Sequence, residues 1–248
     1  MAICDLREAI LAFSELVEMP VEAGTGAKGD LLFGWIHAAG RLHHYRTTIS
    51  PELVREFAEG AVEVGRQLML AEPQVARWTR NVAWALSWIA DSFLGRDDSS
   101  ALRYFQAILD LQFPDGVPPT IRWTALRRSG DILDQAHQSG AINLYNLAAD
   151  LAKAQSLSHP EDDDWAARLC LSLALAAEAE SSTHPEAALA KWREGIDLLS
   201  SAGQSSRETT NAWAEVARDI EVLSSHTALL AKEEETSDCT LRRSSELR

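Results

Sequence analysis

Cysteine is scarce in this chain: Cys4, Cys170 and Cys239 are an odd number in 248 residues, far apart and without a pair at metal-ligand spacing. A disulfide framework and a zinc-finger-like site are both excluded by that pattern, and a reducing compartment is expected. Proline and glycine are also few, at 8 and 13, which argues against a turn-rich sandwich or barrel. No apolar run approaches the ~20 residues needed to span a bilayer. The opening residues Met1-Ala2-Ile3-Cys4-Asp5-Leu6 carry an acid where a signal peptide would carry a basic region, so a cytoplasmic protein is expected. Basic charge is short as well. With 23 Lys and Arg against 37 Asp and Glu, the net charge is -14 and the pI about 4.9. Phosphate backbones and anionic membranes bind clustered Lys and Arg, so neither nucleic acid nor membrane is an expected partner, and the sign points to a neutral or basic one.

What is present is helix-forming sequence. Hydrophobic residues make up 46% and charged residues 24% of the chain, with Ala and Leu abundant, and one continuous stack of helices accounts for the length without a domain break. Apolar periodicity predicts a first helix over residues 5–19, a glycine-containing loop over 21–29, and a second helix from Asp30 to about Arg46. Ser50-Pro51-Glu52 is a strong start for a third helix, with Ser at the cap and Pro in the first turn, and Glu72-Pro73 marks its end.

Internal repetition follows. Ala101-Leu102-x-x-Phe105, Ala141-Ile142-x-x-Tyr145 and Ala188-Leu189-x-x-Trp192 place small, aliphatic and aromatic residues alike, and Asp110-Leu111, Asp150-Leu151 and Asp197-Leu198 recur nine and ten residues beyond each alanine. The copies are 40 and then 47 residues apart. Eleven residues before each alanine lies a small residue, Ala90, Gly130 or Ala177, and four residues before that a leucine, Leu86, Leu126 or Leu173. Turn-rich strings separate the two halves of each copy: Gly95-Arg96-Asp97-Asp98-Ser99, Gln138-Ser139-Gly140 and Ser181-Ser182-Thr183-His184-Pro185. Three antiparallel helical hairpins explain this pattern, and since one hairpin cannot bury both its apolar faces, about three or more must stack.

These residues resemble the tetratricopeptide repeat. Ala90, Gly130 and Ala177 match its close-packing small position, Ala101, Ala141 and Ala188 the small residue that opens its second helix, and Phe105, Tyr145 and Trp192 its aromatic; Ala148 and Gly195 match a later small position, where Ile108 departs. The 40- and 47-residue spacings exceed the family's length, and the position held by Phe93 and Leu133 becomes Glu180 in the third copy. The resemblance implies an all-α, right-handed stack of antiparallel hairpins, a TPR-like α-solenoid, over residues 74–200. Residues 1–73 are expected to be N-terminal helices, with Leu53, Phe57 and Gly60 a faint further copy; 201–231 a capping helix; and 232–248 a disordered tail.

Catalytic and metal motifs are weak by comparison. Gly24-Thr25-Gly26-Ala27-Lys28-Gly29-Asp30 lacks the Ser or Thr after lysine, and the preceding strand, of a phosphate-binding loop. His37, His43 and His44 do not fall at the three- or four-residue spacing of helical zinc ligands. Glu161-Asp162-Asp163-Asp164 is read as supplying a helix cap at Asp163 or Asp164 rather than a magnesium site, and Asp131 and Asp134 lack a second facing motif. No catalytic residue, metal or cofactor is assigned. Trp88, Trp123 and Trp192 are expected in the core.

In the family the first helices line a groove, and carrying that over gives Trp84, Ser87 and Asp91 from the first copy, Thr124, Arg127 and Asp131 from the second, and Glu178 from the third. Asp91, Asp131 and Glu178 fall at equivalent positions and suit a basic or amide-rich peptide. The expectation is a protein-protein interaction adaptor, not an enzyme, binding a partner peptide or helix. An all-α magnesium-dependent enzyme acting on a diphosphate is the alternative, and a regulatory segment of a larger signalling protein a third reading.

Overall fold

The structure, a computed structural model, describes residues 51–205 together with Gly26, Gly29 and Gly34. Residues 201–205, expected to open the capping helix, instead finish the helix that begins at Pro185; the rest of the expected capping helix, the tail, and the histidines at 37, 43 and 44 lie outside the described residues, as does most of the N-terminal helical region. Among the described residues there are seven α-helices and no strand: α1 (Pro51–Ala71), α2 (Ala76–Phe93), α3 (Asp98–Leu109), α4 (Pro119–Gln135), α5 (Ala141–Ser158), α6 (Asp163–Glu180) and α7 (Pro185–Ser205). None of them is long and apolar enough to cross a membrane.

Local chemistry sets the boundaries. Pro51 opens α1, where a missing N–H costs nothing, with Glu52 in the first turn favoured by the helix dipole. Asp97 caps α3 by accepting the Ser100 N–H at 3.1 Å, while Gly95, at φ +72, makes the tight turn and donates its N–H to Asp98 at 2.8 Å. Gly140 stands at φ +116 before α5, a conformation a side chain would strain. Asp162, not Asp163 or Asp164, caps α6, its carboxylate accepting the Asp164 N–H at 3.1 Å. The acidic run enters its helix one residue earlier than its sequence suggests, because a cap stands two or three residues before the N–H it accepts, and here that N–H is Asp164's.

The chain divides into two compact units, Met1–Ile132 and Leu133–Arg248. In the first, α2 packs against both α1 and α3. Val54, Phe57, Ala58, Ala61, Val64 and Leu68 form a helical stripe on α1, buried with Trp78, Leu86 and Ile89 of α2 and Phe105 and Ile108 of α3. The loop expected over residues 21–29 is corrected at the two of its residues that are described: Gly26 and Gly29 are both helical. Gly29 is buried, and a Cβ there would meet the Trp78 indole at 2.6 Å. Close approach to a large ring, and not chain flexibility, is what this glycine serves. The ring itself cannot yield easily, because its Nε1–H donates to Glu72 at 2.9 Å and the Arg77 guanidinium sits 4.0 Å from its centroid.

In the second unit α6 packs against both α5 and α7. A helix with neighbours on two sides needs small residues on two faces, and α6 buries Ala167, Ala174, Ala176 and Ala177. Ala176 packs with Ala141, Tyr145 and Leu133, whereas Ala167, Cys170, Ala174 and Ala177 pack with Ala188 and Trp192. The Cys170 thiol donates to the Gly195 carbonyl at 3.0 Å, and burial pushes its pKa up to about 12, so it stays protonated as that bond requires.

Candidate functional surface

Of the repeat positions read from the sequence, the leucine, the small residue, the alanine and the aromatic are core positions in every copy, whereas Asp110, Asp150 and Asp197 are exposed. Leu86, Leu126 and Leu173 are buried, as are Ala90, Gly130 and Ala177, Ala101, Ala141 and Ala188, and Phe105, Tyr145 and Trp192. The expected core tryptophans Trp123 and Trp192 are buried, and Trp88 is partly buried against the first unit's core.

Eight residues before the reference alanine and three after it, the first and third copies carry a pair that links the two helices: Phe93 with Tyr104 in the first, Glu180 with Lys191 in the third. Phe93 and Tyr104 stack, centroids 5.8 Å apart and planes 9° from parallel, with the Arg55 guanidinium 5.3 Å from the Phe93 centroid. At the same place in the third copy the Lys191 ammonium donates to the Glu180 carboxylate, with side chains 21% and 14% exposed. A partly shielded ion pair thus stands where the first copy has an aromatic stack. Glu180, which breaks the apolar pattern in the sequence, does so together with its partner. The positions that hold Ala83 and Ile108 in the first core hold Cys170 and Gly195 in the third, where the cysteine sulfur lies over the glycine.

The seven residues expected to line a groove fall on three helices, α2, α4 and α6. Trp84, Ser87 and Asp91 share one stripe of α2. Trp84 is 43% exposed and meets Trp88 edge to face, centroids 6.1 Å apart at 61°, while Ser87 and Asp91 are partly buried. On α4, Thr124 is partly buried, and Arg127 and Asp131 engage each other at 3.0 Å, each side chain 21% exposed. The Arg127 guanidinium also lies 5.6 Å from the centroid of buried Trp123. Glu178 is exposed on α6 in the second unit.

The Trp123, Arg127, Asp131 chain was visible in the sequence as a run at four-residue spacing, the separation at which helical side chains meet. Arg168 repeats half of it, 5.0 Å from the Trp165 centroid and 3.7 Å from Asp164. Across the second unit Lys153 donates to Glu194 at 2.8 Å, and that carboxylate raises the lysine pKa. Both are largely exposed, so the bond contributes ~0–1 kcal/mol. An open hollow of about 490 Å³ lies along α7, lined by Ala190, Arg193, Glu194, Asp197 and Leu198. Among the described residues no three His, Cys, Asp or Glu side chains converge to hold a metal ion.

No protein-family model matches the chain, and neither a curated protein nor a solved structure is significantly similar to it.

Proposed function

We propose that the chain is a tetratricopeptide-like hairpin array that serves as an adaptor, presenting the solvent side of its first helices to a neutral or basic partner peptide or helix. One observation carries this reading. The repeat-equivalent leucine, small and aromatic positions are buried in each copy, while the equivalent acids Asp91, Asp131 and Glu178 lie at or near the surface. A repeated scaffold with a repeated surface charge is what an extended partner uses, with apolar anchors for affinity and charges for selectivity. Trp84, half-exposed beside Asp91, is the strongest apolar anchor among the residues of that surface.

The test combines capture from native lysate with direct binding of the purified captured protein. The intact chain is compared with a variant carrying Asp91→Lys, Asp131→Asn and Glu178→Lys. Asn is used at 131 because a cation there would face Arg127. If the variant keeps its helical circular dichroism and binds about tenfold more weakly or worse, the reading stands. Undiminished binding of the same partner contradicts it.

A further inference from the structure

We infer that Trp84, Ser87 and Asp91 form a docking place for an arginine side chain of the partner, an inference that rests on the adaptor reading and narrows it to one subsite. The molecule carries its own template for such a contact. Arg127 lies against Trp123 and bonds to Asp131, so one guanidinium is held between an indole and a carboxylate a single helical turn away. Arg127 and Asp131 stand fourteen and ten residues before the reference alanine of the second copy, and the same positions in the first copy are Ser87 and Asp91. The acid is kept and the cation is not. A short hydroxyl takes the arginine's place, and around it stand Trp84, three residues earlier, and Trp88, one residue later.

An indole face is the best of the aromatic surfaces for a cation, and a residue three or four positions away on a helix is its natural neighbour. Trp84 is 43% exposed, whereas Trp123, which has Arg127 beside it, is buried. Trp84 stands at the place of Thr124, one position beyond that of Trp123, so the two rings approach the cation's position from three and from four residues away, one ring exposed and the other buried. Asp91 needs no vacant partner for this role, since a carboxylate has about four acceptor sites and accommodates an added donor. Arginine is favoured over lysine for two reasons. Its planar fork stacks on indole and bonds a carboxylate at once, which an ammonium does not. Among the described residues the cations found against aromatic rings are Arg55, Arg77, Arg103, Arg127 and Arg168. The net charge of -14 adds attraction at long range.

The experiment follows the indole N–H resonances of the full chain while a blocked Gly-Arg repeat peptide is added, with a citrulline peptide of the same length as the neutral counterpart. The Trp84 resonance, assigned by Trp84→Phe, is expected to move with the arginine peptide and not with citrulline. Ser87→Arg supplies the missing cation from within the helix and is expected to weaken the peptide's effect at Trp84 about tenfold, the value of one charge-assisted stacked contact. If arginine and citrulline peptides move Trp84 alike, or neither moves it, the subsite is wrong. If the arginine peptide binds but shifts other indoles and is indifferent to Ser87→Arg, the subsite is again wrong while the adaptor reading survives. The wild-type comparison of the two peptides decides the matter even should Ser87→Arg fail to fold.

Discussion

The first and third hairpins are built to one plan and held by different forces. Each buries a leucine, a small residue, an alanine and an aromatic at the same offsets: Leu86, Ala90, Ala101 and Phe105 in one, Leu173, Ala177, Ala188 and Trp192 in the other. Where the first closes its two helices with stacked Phe93 and Tyr104, the third uses Glu180 and Lys191. Where the first fills its later core position with Ile108, the third has Gly195 and lets a cysteine reach the backbone. A repeat position is thus a constraint on a pair of residues, not on one. A pair can pass from apolar to ionic if both members change, because one charge left behind in a shielded place costs far more than the pair.

Truncating the shared aromatic should destabilise either hairpin most. Phe105→Ala and Trp192→Ala should each cost about 3–5 kcal/mol, read by urea unfolding, since both rings are buried and the surrounding helices cannot collapse fully onto the space. Equal losses would show that the two positions do the same work. A loss under about 1 kcal/mol at either would show that it is not a core anchor.

A second contrast concerns glycine. Gly29→Ala places a methyl 2.6 Å from the pinned Trp78 indole and should destabilise the first unit by about 1–3 kcal/mol. Gly195→Ala meets the Cys170 sulfur at an ordinary 3.6 Å and, lying inside a helix, should be neutral or stabilising by up to about 1 kcal/mol. Thermal unfolding of the two variants separates a glycine kept for space from one that tolerates a side chain.

The smallest effect is in the turns. Hydrogen bonds from Ser100 and Ser99 hold the Asp97 carboxyl at about 2, below its ordinary 3.8. Because the folded value is the lower one, the cap's contribution is present above about pH 4 and is lost as pH falls through about 2. The Ser181-Ser182-Thr183-His184 turn of the third hairpin contains no carboxylate. A carbon-13 titration of the Asp97 carboxyl should have its midpoint near 2 and move up in Ser100→Ala; a wild-type midpoint near 3.8 would contradict the cap.

Helices, turns and core were largely legible in the sequence, since burial of a small or aromatic residue at fixed offsets leaves a period that can be read directly, as at Ala101, Ala141 and Ala188. Pairings between helices left no such period. Nothing in Glu180 alone says that Lys191 will meet it, and Gly29 in a string with Gly24 and Gly26 looks like a loop until Trp78 is placed against it. Of the candidate surface, the acids at 91, 131 and 178 were legible as a repeat. What differs among them was not, because only packing shows that Asp131 holds Arg127 over Trp123.

In the third hairpin Glu180 and Lys191 together replace the stack of Phe93 and Tyr104. Transplanting the first hairpin's pair into the third tests it: Glu180→Phe, Lys191→Tyr and the double variant, followed by hydrogen exchange at the amides of α6 and α7, which reports that hairpin by itself. Each single change is expected to lower protection by about 1–3 kcal/mol, between the values for exposed and buried ion pairs, and the double variant to recover to within about 1 kcal/mol of wild type. A double variant that loses the sum of the two single losses would contradict the claim.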